Sequence, residues 1–258
     1  MSSFPDRSAY AGPVLDPRAA GRSFAARARF NGWIVLASWP REEVAALLPP
    51  ELELVPNAQD DHPVAFILGK QTAGALFLGP FTVPTGANYH EFGMAVPFVR
   101  HRRGRYLHLF VPRMYATYFP AVWTGNVQYG FAKEMAKFER HGNIHVITAE
   151  DRTLLLHASF EATGEWCSGG GCTLPNFDAM RSAFVLPVIG CLNDRRLVSS
   201  YFDWDFREAR VRPADGTVTI VAPLVAGSPA RESDDLPSGT FEVDGMVWKL
   251  SWPGPCRF

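Results

Sequence analysis

The 258-residue sequence predicts a mainly β (α+β) fold, in which one large antiparallel sheet is rolled up to hide its edges and few helices are present. Many short apolar segments, rich in β-branched and aromatic residues, are separated by turn residues. Strand–helix alternation is too sparse for a doubly wound nucleotide-binding fold. A glycine-rich phosphate-binding motif is also absent from the sequence.

The N-terminal half begins with a polar stretch that contains Pro and Gly. We expect residues 1–22 to form an arm that covers the body or a partner subunit, followed by a single domain at 23–258. A helix is predicted after Pro40, because proline suits a first helical turn, acidic residues follow it and two prolines end it. Buried or extended strands are predicted at residues 30–39, 52–55 and 64–68.

Residues 89–114 predict a β-hairpin, since two apolar strands flank a basic, glycine-containing turn at residues 100–105. The Pro- and Gly-rich segments before and after it, residues 79–88 and 228–238, predict loops. Residues 177–184 fit a short helix or a strand. Further strands are predicted at residues 144–148, 153–161, 197–205, 207–211, 217–221 and 241–252.

Composition and charge argue against several classes of protein. The formal net charge is −1 without a basic or acidic tail, whereas a nucleic-acid-binding protein usually has a basic face. No apolar run is long enough to span a membrane, and the N-terminus lacks the pattern of a signal peptide. We therefore expect a cytoplasmic protein whose four cysteines are free thiols.

The segment from residue 123 to residue 140 places Lys133 in an apolar neighbourhood. Lysine is mostly a surface residue, so this one either extends to solvent along aromatic side chains or is held away from water for chemistry. A desolvated lysine has a lowered pKa, and its neutral amine is a nucleophile toward carbonyl carbons. The apolar neighbours in sequence are Val127, Tyr129, Phe131, Ala132, Met135 and Phe138.

Two motifs carry a resemblance to a known family. They are Tyr89-His90-Glu91 with the strand that follows it, and Gly125 eight positions before Lys133. This pattern resembles acetoacetate decarboxylase and its relatives. The resemblance implies a cone-like β-barrel, a homo-oligomer, and a buried Lys133 that forms an imine with a substrate ketone while Glu91 lines the pocket.

The sequence departs from the decarboxylase pattern at several positions. Ala132 and Glu134 stand where the decarboxylases have proline and a second lysine. Ile67 stands where a second pocket glutamate is expected, and Arg27 is one of two arginines near the place of an expected arginine. These differences favour an aldolase-dehydratase, or a decarboxylase of another keto acid, over simple acetoacetate decarboxylation.

These observations lead to a set of site predictions. We expect Lys133 to be the nucleophile and Glu91 to transfer protons in a lyase that acts on a small or aromatic oxo acid, without metal or organic cofactor. An alternative for Glu91 is an ion pair with Arg113 or with the basic turn at residues 100–105. The alternative function is a non-catalytic β-barrel that binds an apolar small molecule. Substrate-binding or pocket-lining roles are predicted for Gln128, Tyr129, Met114 and Tyr118.

Overall fold

The computed structural model describes residues 4–10, 22–57, 59–225, 228, 230–234 and 238–256. In these residues a single sheet dominates and the helices are few, as the sequence predicts. The helices are α1 Arg41–Ala46, α2 Phe119–Tyr129 and α3 Phe177–Phe184, besides two short 3-10 turns. The strands are β1 Phe24–Pro40, β2 Leu52–Leu54, β3 Asp61–Leu78, β4 Phe81–Pro84, β5 Tyr89–His101, β6 His108–Ala116, β7 Lys133–Met135, β8 Lys137–His141, β9 Ile144–Thr148, β10 Leu154–Ala162, β11 Cys167–Ser168, β12 Val188–Cys191, β13 Leu197–Ser200, β14 Phe202–Asp205, β15 Arg210–Ile220, β16 Arg231–Asp234, β17 Thr240–Ser251 and β18 Gly254–Pro255.

The strand pairings form a continuous circuit. β1 pairs with β3, β3 with β5, β5 with β6, and β6 with β12. β12 pairs with β13, which continues past Tyr201 into β14, and β14 pairs with β17, the second neighbour of β1. The sheet is therefore rolled up, and this arrangement leaves few strand edges open.

Most of the strand pairings are antiparallel, as the sequence predicts, but the sheet is mixed. β6 runs parallel to β7 and to β12. The parallel pairing of β6 with β7 depends on helix α2, which the sequence reading did not predict. A parallel partner requires a crossover connection, and α2 carries the chain back along β6 before β7 begins. Gly130 ends the helix in the left-handed conformation, at a φ of 64°.

Two predicted loops contain strands. Within residues 79–88 the chain forms β4, because β3 extends to Leu78 and folds back at Gly79, whose φ is 60°. Within residues 228–238 the described part includes β16, which pairs with β15. The ambiguous segment at residues 177–184 is helix α3. The hairpin predicted at residues 89–114 is present as β5 and β6.

The described part of the N-terminal segment packs against the body of the protein. The backbone N–H of Phe4 donates to Asn176 Oδ1 at 2.9 Å, and the ring of Tyr10 stacks on Phe98 with centroids 3.8 Å apart. Residues 11–21 lie outside the described residues, so the predicted boundary between arm and domain stays a prediction. Among the described residues, no helix is long and apolar enough to cross a membrane.

Strand β1 separates two apolar cores. Ile34 and Leu36 belong to one core, whereas Val35 and Ala37 belong to the other. Side chains alternate between the two faces of a strand, so one long strand serves both cores. The core that contains Ile34 also packs against several side chains of the cavity described below.

His62 on β3 provides a test of this packing. Its Nε2 lies 2.8 Å from the carbonyl oxygen of Pro97. Burial lowers the pKa of His62 from 6.5 to about 4; the hydrogen bond to Pro97 opposes this shift, and the charge of Arg41 adds to it. The folded protein thus keeps His62 neutral where the unfolded chain binds a proton. Stability should fall as the pH drops from 6.5 to 4, by about 3 kcal/mol from this group.

Urea unfolding of His62→Gln at several pH values checks this expectation. The variant should lose part of the decline in stability between pH 6.5 and pH 4. His141→Gln, at an exposed histidine, is the matched control and should keep the wild-type decline. An unchanged pH dependence in His62→Gln would show that the native fold does not exclude the charged imidazole.

Candidate active site

A cavity of about 330 Å³ lies inside the rolled sheet, next to helix α2. Its lining is mostly apolar and aromatic, and the elements that contribute to it include β1, β3, β5, β6, α2, β7, β12, β14 and β17. Among the described lining residues, the charged ones are Lys133, Glu91 and Arg27. The apolar lining includes Ile67, Leu109, Val111, Phe131, Val188, Phe202, Trp204, Trp248, Leu250 and Trp252.

Lys133 and Glu91 meet in this cavity. Lys133 Nζ lies 2.6 Å from Glu91 Oε2, and the two side chains are only 8% and 13% exposed. The ammonium also lies 5.9 Å from the centroid of the Phe131 ring. The prediction that Lys133 is held away from bulk water therefore agrees with its surroundings, and the alternative of a lysine extended to solvent is wrong.

Asn126 on α2 forms hydrogen bonds with both backbone polar groups of Lys133. Its Oδ1 accepts from the Lys133 N–H at 2.8 Å, and its Nδ2 donates to the Lys133 carbonyl oxygen at 2.9 Å. The amide side chain thus bonds Lys133 in the way that a neighbouring strand would. On its other side Lys133 pairs with Met114 of β6.

Gly125 lets the lysine stem pass close to helix α2. A Cβ atom at this position would lie 2.7 Å from Lys133 Cδ, which is closer than side-chain contacts allow. The Gly125 carbonyl oxygen also accepts from the Phe131 N–H at 3.0 Å. The eight-residue spacing between Gly125 and Lys133 therefore reflects a close approach between helix and lysine.

Glu91 is held by a second amide. Gln71 Nε2 lies 3.5 Å from Glu91 Oε1, and Gln71 Oε1 accepts from Trp248 Nε1 at 2.7 Å. The predictions from sequence did not include Gln71, Trp248 or Asn126. Gln71 lies on β3 opposite Tyr89, two positions from Glu91 on β5, so strand alternation alone identifies it once the register is known.

The four residues predicted to bind substrate all line the cavity: Gln128, Tyr129, Met114 and Tyr118. Burial raises the pKa of Tyr129 to about 12, so its hydroxyl stays protonated at neutral pH. Tyr118 stacks on Tyr89, with centroids 5.4 Å apart. Burial, together with the nearby Glu91 and Tyr118, raises the pKa of Tyr89 well above its usual value of 10.

Glu134 takes no part in the ion pair between Lys133 and Glu91. Its carboxylate forms an ion pair with Arg113, and its side chain is 54% exposed. Arg113 also donates to the Leu224 carbonyl oxygen at 2.7 Å. The alternative in which Arg113 pairs with Glu91 is therefore wrong. Adjacent side chains of β7 point apart, which explains why Glu134 turns away from Lys133.

The remaining departures from the decarboxylase pattern also have clear positions. Ile67 lines the cavity, so an apolar side chain replaces the expected second glutamate. Arg27 contributes to the lining while its side chain is exposed, which places it at the rim. Among the residues that the structure describes, no group of three or more His, Cys, Asp or Glu side chains is arranged to hold a metal ion.

Comparison by sequence finds no matching family model and no matching curated protein. Comparison of structures finds acetoacetate decarboxylase from Legionella pneumophila, which is 14% identical with a TM-score of 0.59 and 100% of this chain and 96% of that one covered. The enduracididine biosynthesis enzyme MppR, complexed with the condensation product of pyruvate and imidazole 4-carboxaldehyde, is 14% identical with a TM-score of 0.59 and coverages of 99% and 97%. An acetoacetate decarboxylase-like enzyme from Sphingomonas wittichii RW1 is 12% identical, with a TM-score of 0.51 and coverages of 96% and 100%.

The chain thus has the fold of the acetoacetate decarboxylase-like enzymes over nearly its whole length. The resemblance noted in the sequence is confirmed at the level of the fold. At these sequence identities the similarity shows the fold and not a particular reaction or substrate.

The role of Asn126 can be tested by stability. Asn126→Ala removes both hydrogen bonds to the Lys133 backbone, and we expect it to lower the free energy of unfolding by about 1–3 kcal/mol. Asn126→Asp keeps the acceptor for the Lys133 N–H but faces the Lys133 carbonyl oxygen with a second acceptor in place of the donor, so it should not restore wild-type stability. Urea unfolding at pH 7 measures both.

Asn193→Ala, at an exposed position without a contact of this kind, is the matched control. It should change stability by less than about 0.5 kcal/mol. Equal stability of wild type and Asn126→Ala would mean that the amide does not support the backbone of β7.

Proposed function

We propose that this protein is a Schiff-base-forming lyase that acts on a small or aromatic oxo acid through an imine on Lys133. The observation that carries the proposal is the 2.6 Å contact between Lys133 Nζ and Glu91 Oε2 inside an otherwise apolar cavity. An amine that forms an imine needs a nearby group to take its proton and a site with little water.

The first step uses this pair directly. Glu91 accepts a proton from the Lys133 ammonium, and the neutral amine attacks the carbonyl carbon of the oxo acid. The carbonyl oxygen becomes a hydroxyl by taking the proton that the attacking nitrogen loses. Glu91 returns its proton to this hydroxyl, the C–O bond of the carbinolamine breaks, water leaves, and a protonated imine on Lys133 and the Glu91 carboxylate remain.

The protonated imine is an electron sink with two possible uses. It accepts the electron pair of a breaking bond to a carboxylate, which releases carbon dioxide, or that of a C–H bond next to the imine carbon. The second route gives an enamine that attacks an aldehyde, and loss of water yields a conjugated product. The MppR complex with a pyruvate–aldehyde condensation product supports this aldolase-dehydratase route. Because the imine itself holds the electrons, neither route needs a metal or an organic cofactor.

The rest of the lining suits such a substrate. Arg27 at the rim gives the entrance a positive charge, which attracts an anionic oxo acid. Gln128 offers an amide to a substrate oxygen, and the protonated hydroxyl of Tyr129 is a further donor. With Ile67 and Glu134 in place of decarboxylase residues, aldol condensation with dehydration, or decarboxylation of another keto acid, fits better than acetoacetate decarboxylation.

The second candidate is a non-catalytic barrel that binds an apolar small molecule. The apolar and aromatic lining of the cavity favours it. Such a binder gives no covalent adduct with an oxo acid, so one experiment separates the two functions. A cytoplasmic location and a homo-oligomeric assembly stay predictions of the sequence.

Borohydride trapping tests the imine. The protein is incubated with pyruvate, acetoacetate and larger oxo acids, borohydride is added, and the intact mass and the modified peptide are determined. We expect one reduced adduct on Lys133, because a buried amine next to a proton acceptor forms the imine. Lys133→Met should give no adduct. Lys137→Met, at an exposed lysine of the next strand, should behave like the wild type.

Circular dichroism shows whether Lys133→Met remains folded. An unmodified wild-type mass across the whole series of oxo acids would favour the non-catalytic binder. An adduct of equal yield in Lys133→Met would place the reactive amine elsewhere. Either result overturns the proposal.

A further inference from the structure

Four side chains form a continuous row from the aromatic wall of the cavity to the reactive amine. Trp248 Nε1 donates to Gln71 Oε1 at 2.7 Å, and Gln71 Nε2 lies 3.5 Å from Glu91 Oε1. Glu91 Oε2 in turn lies 2.6 Å from Lys133 Nζ. Gln71 and Trp248 are buried, at 4% and 9% exposure, so little water competes for these contacts.

In this row each hydrogen bond is donated toward Glu91, from Trp248 to Gln71 and from Gln71 to Glu91. An indole N–H is a donor and not an acceptor, so the amide oxygen of Gln71 must face Trp248. The NH₂ group of Gln71 then faces Glu91 Oε1, which has to act as an acceptor. A proton on Oε1 would meet the hydrogens of the amide. Oε2 is therefore the oxygen that remains available to exchange a proton with Lys133.

The row is built on strands, which fixes its geometry. Gln71 lies on β3 between Phe30 of β1 and Tyr89 of β5. Trp248 lies on β17 between Ala28 of β1 and Trp204 of β14. Neither side chain depends on a loop, and groups held by strands keep their positions more closely than groups on loops.

Trp248 also belongs to the surface on which a substrate body would lie. Its ring meets Phe202 edge to face with centroids 5.5 Å apart, and Phe202 stacks on Trp204 at 5.1 Å. All three line the cavity. A substrate whose apolar part packs on this wall therefore contacts the residue that orients the Gln71 amide.

We propose that Gln71 is a positioning residue, oriented by Trp248, that fixes the orientation of the Glu91 side chain with Oε2 directed at Lys133. This inference rests on the proposed function, since it concerns the proton that leaves Lys133 before imine formation. Gln71 donates to Oε1, which fixes the plane of the carboxylate and keeps this oxygen out of the exchange. Trp248 links this arrangement to the wall that receives the substrate.

The test measures imine formation by quenching with borohydride at set times, over a range of oxo-acid concentrations. Gln71→Leu has a similar volume and lacks the amide. We expect its rate at saturating substrate to fall about tenfold or more, the loss typical of a hydrogen bond to a charged group, with little change in the half-saturating concentration. Trp248→Phe keeps an aromatic ring without the N–H and should lower the rate less.

Two further readouts separate positioning from a general loss of structure. Per folded molecule, with the folded fraction taken from circular dichroism, the rate at saturating substrate should fall while the half-saturating concentration stays, because the proposed role concerns proton transfer and not binding. The double variant should match Gln71→Leu alone, since the N–H of Trp248 acts through Gln71. A structural defect would reduce the folded fraction, leave the rate per folded molecule unchanged and add across the two sites.

The outcomes distinguish this inference from the proposed function. If the wild type forms no imine, both are wrong. If the wild type forms the imine and Gln71→Leu matches its rate per folded molecule, the positioning role alone is wrong. Should Gln71→Leu not fold, Trp248→Phe decides, because an unchanged rate in that variant contradicts the proposed row of hydrogen bonds.

Discussion

A close ion pair inside an apolar cavity is the constraint on which the site depends. Burying a charged group without a partner is costly, and removal of one member of a buried pair leaves an uncompensated charge. Lys133 and Glu91 are therefore stable in the cavity only together, 2.6 Å apart. The proposed reaction uses the same dependence, because a proton that moves from the amine to the carboxylate turns two charges into two neutral groups.

The protein holds each member of the pair through an amide side chain from another element. Asn126 of α2 binds both backbone groups of Lys133, and Gln71 of β3 contacts the outer oxygen of Glu91. Helix α2 carries Asn126, which binds the Lys133 backbone, and it also contributes side chains to the cavity lining. The crossover that brings β7 beside β6 thus explains both the fold of this region and the position of the amine.

Much of the candidate site could be predicted from sequence, because patterns of neighbouring residues indicated its members. An apolar neighbourhood marked Lys133, a short motif marked Glu91, and the same segment supplied Gln128 and Tyr129. No such pattern indicated Gln71, Trp248 or Asn126. Gln71 and Trp248 reach the site through strand register, and Asn126 reaches it through a contact between helix α2 and β7. Strands β4 and β16 were missed for a related reason, as Gly and Pro indicate a turn without showing how far its flanking strands extend.

Oxygen exchange tests the central claim most directly. Imine formation expels the carbonyl oxygen of an oxo acid as water, and hydrolysis of the imine returns an oxygen from the solvent. In ¹⁸O-labelled water, the wild-type protein should therefore accelerate the uptake of label into the carbonyl group of pyruvate, Lys133→Met should show the uncatalysed rate, and Glu91→Gln should lie near it. Equal acceleration by wild type and Lys133→Met would contradict the account.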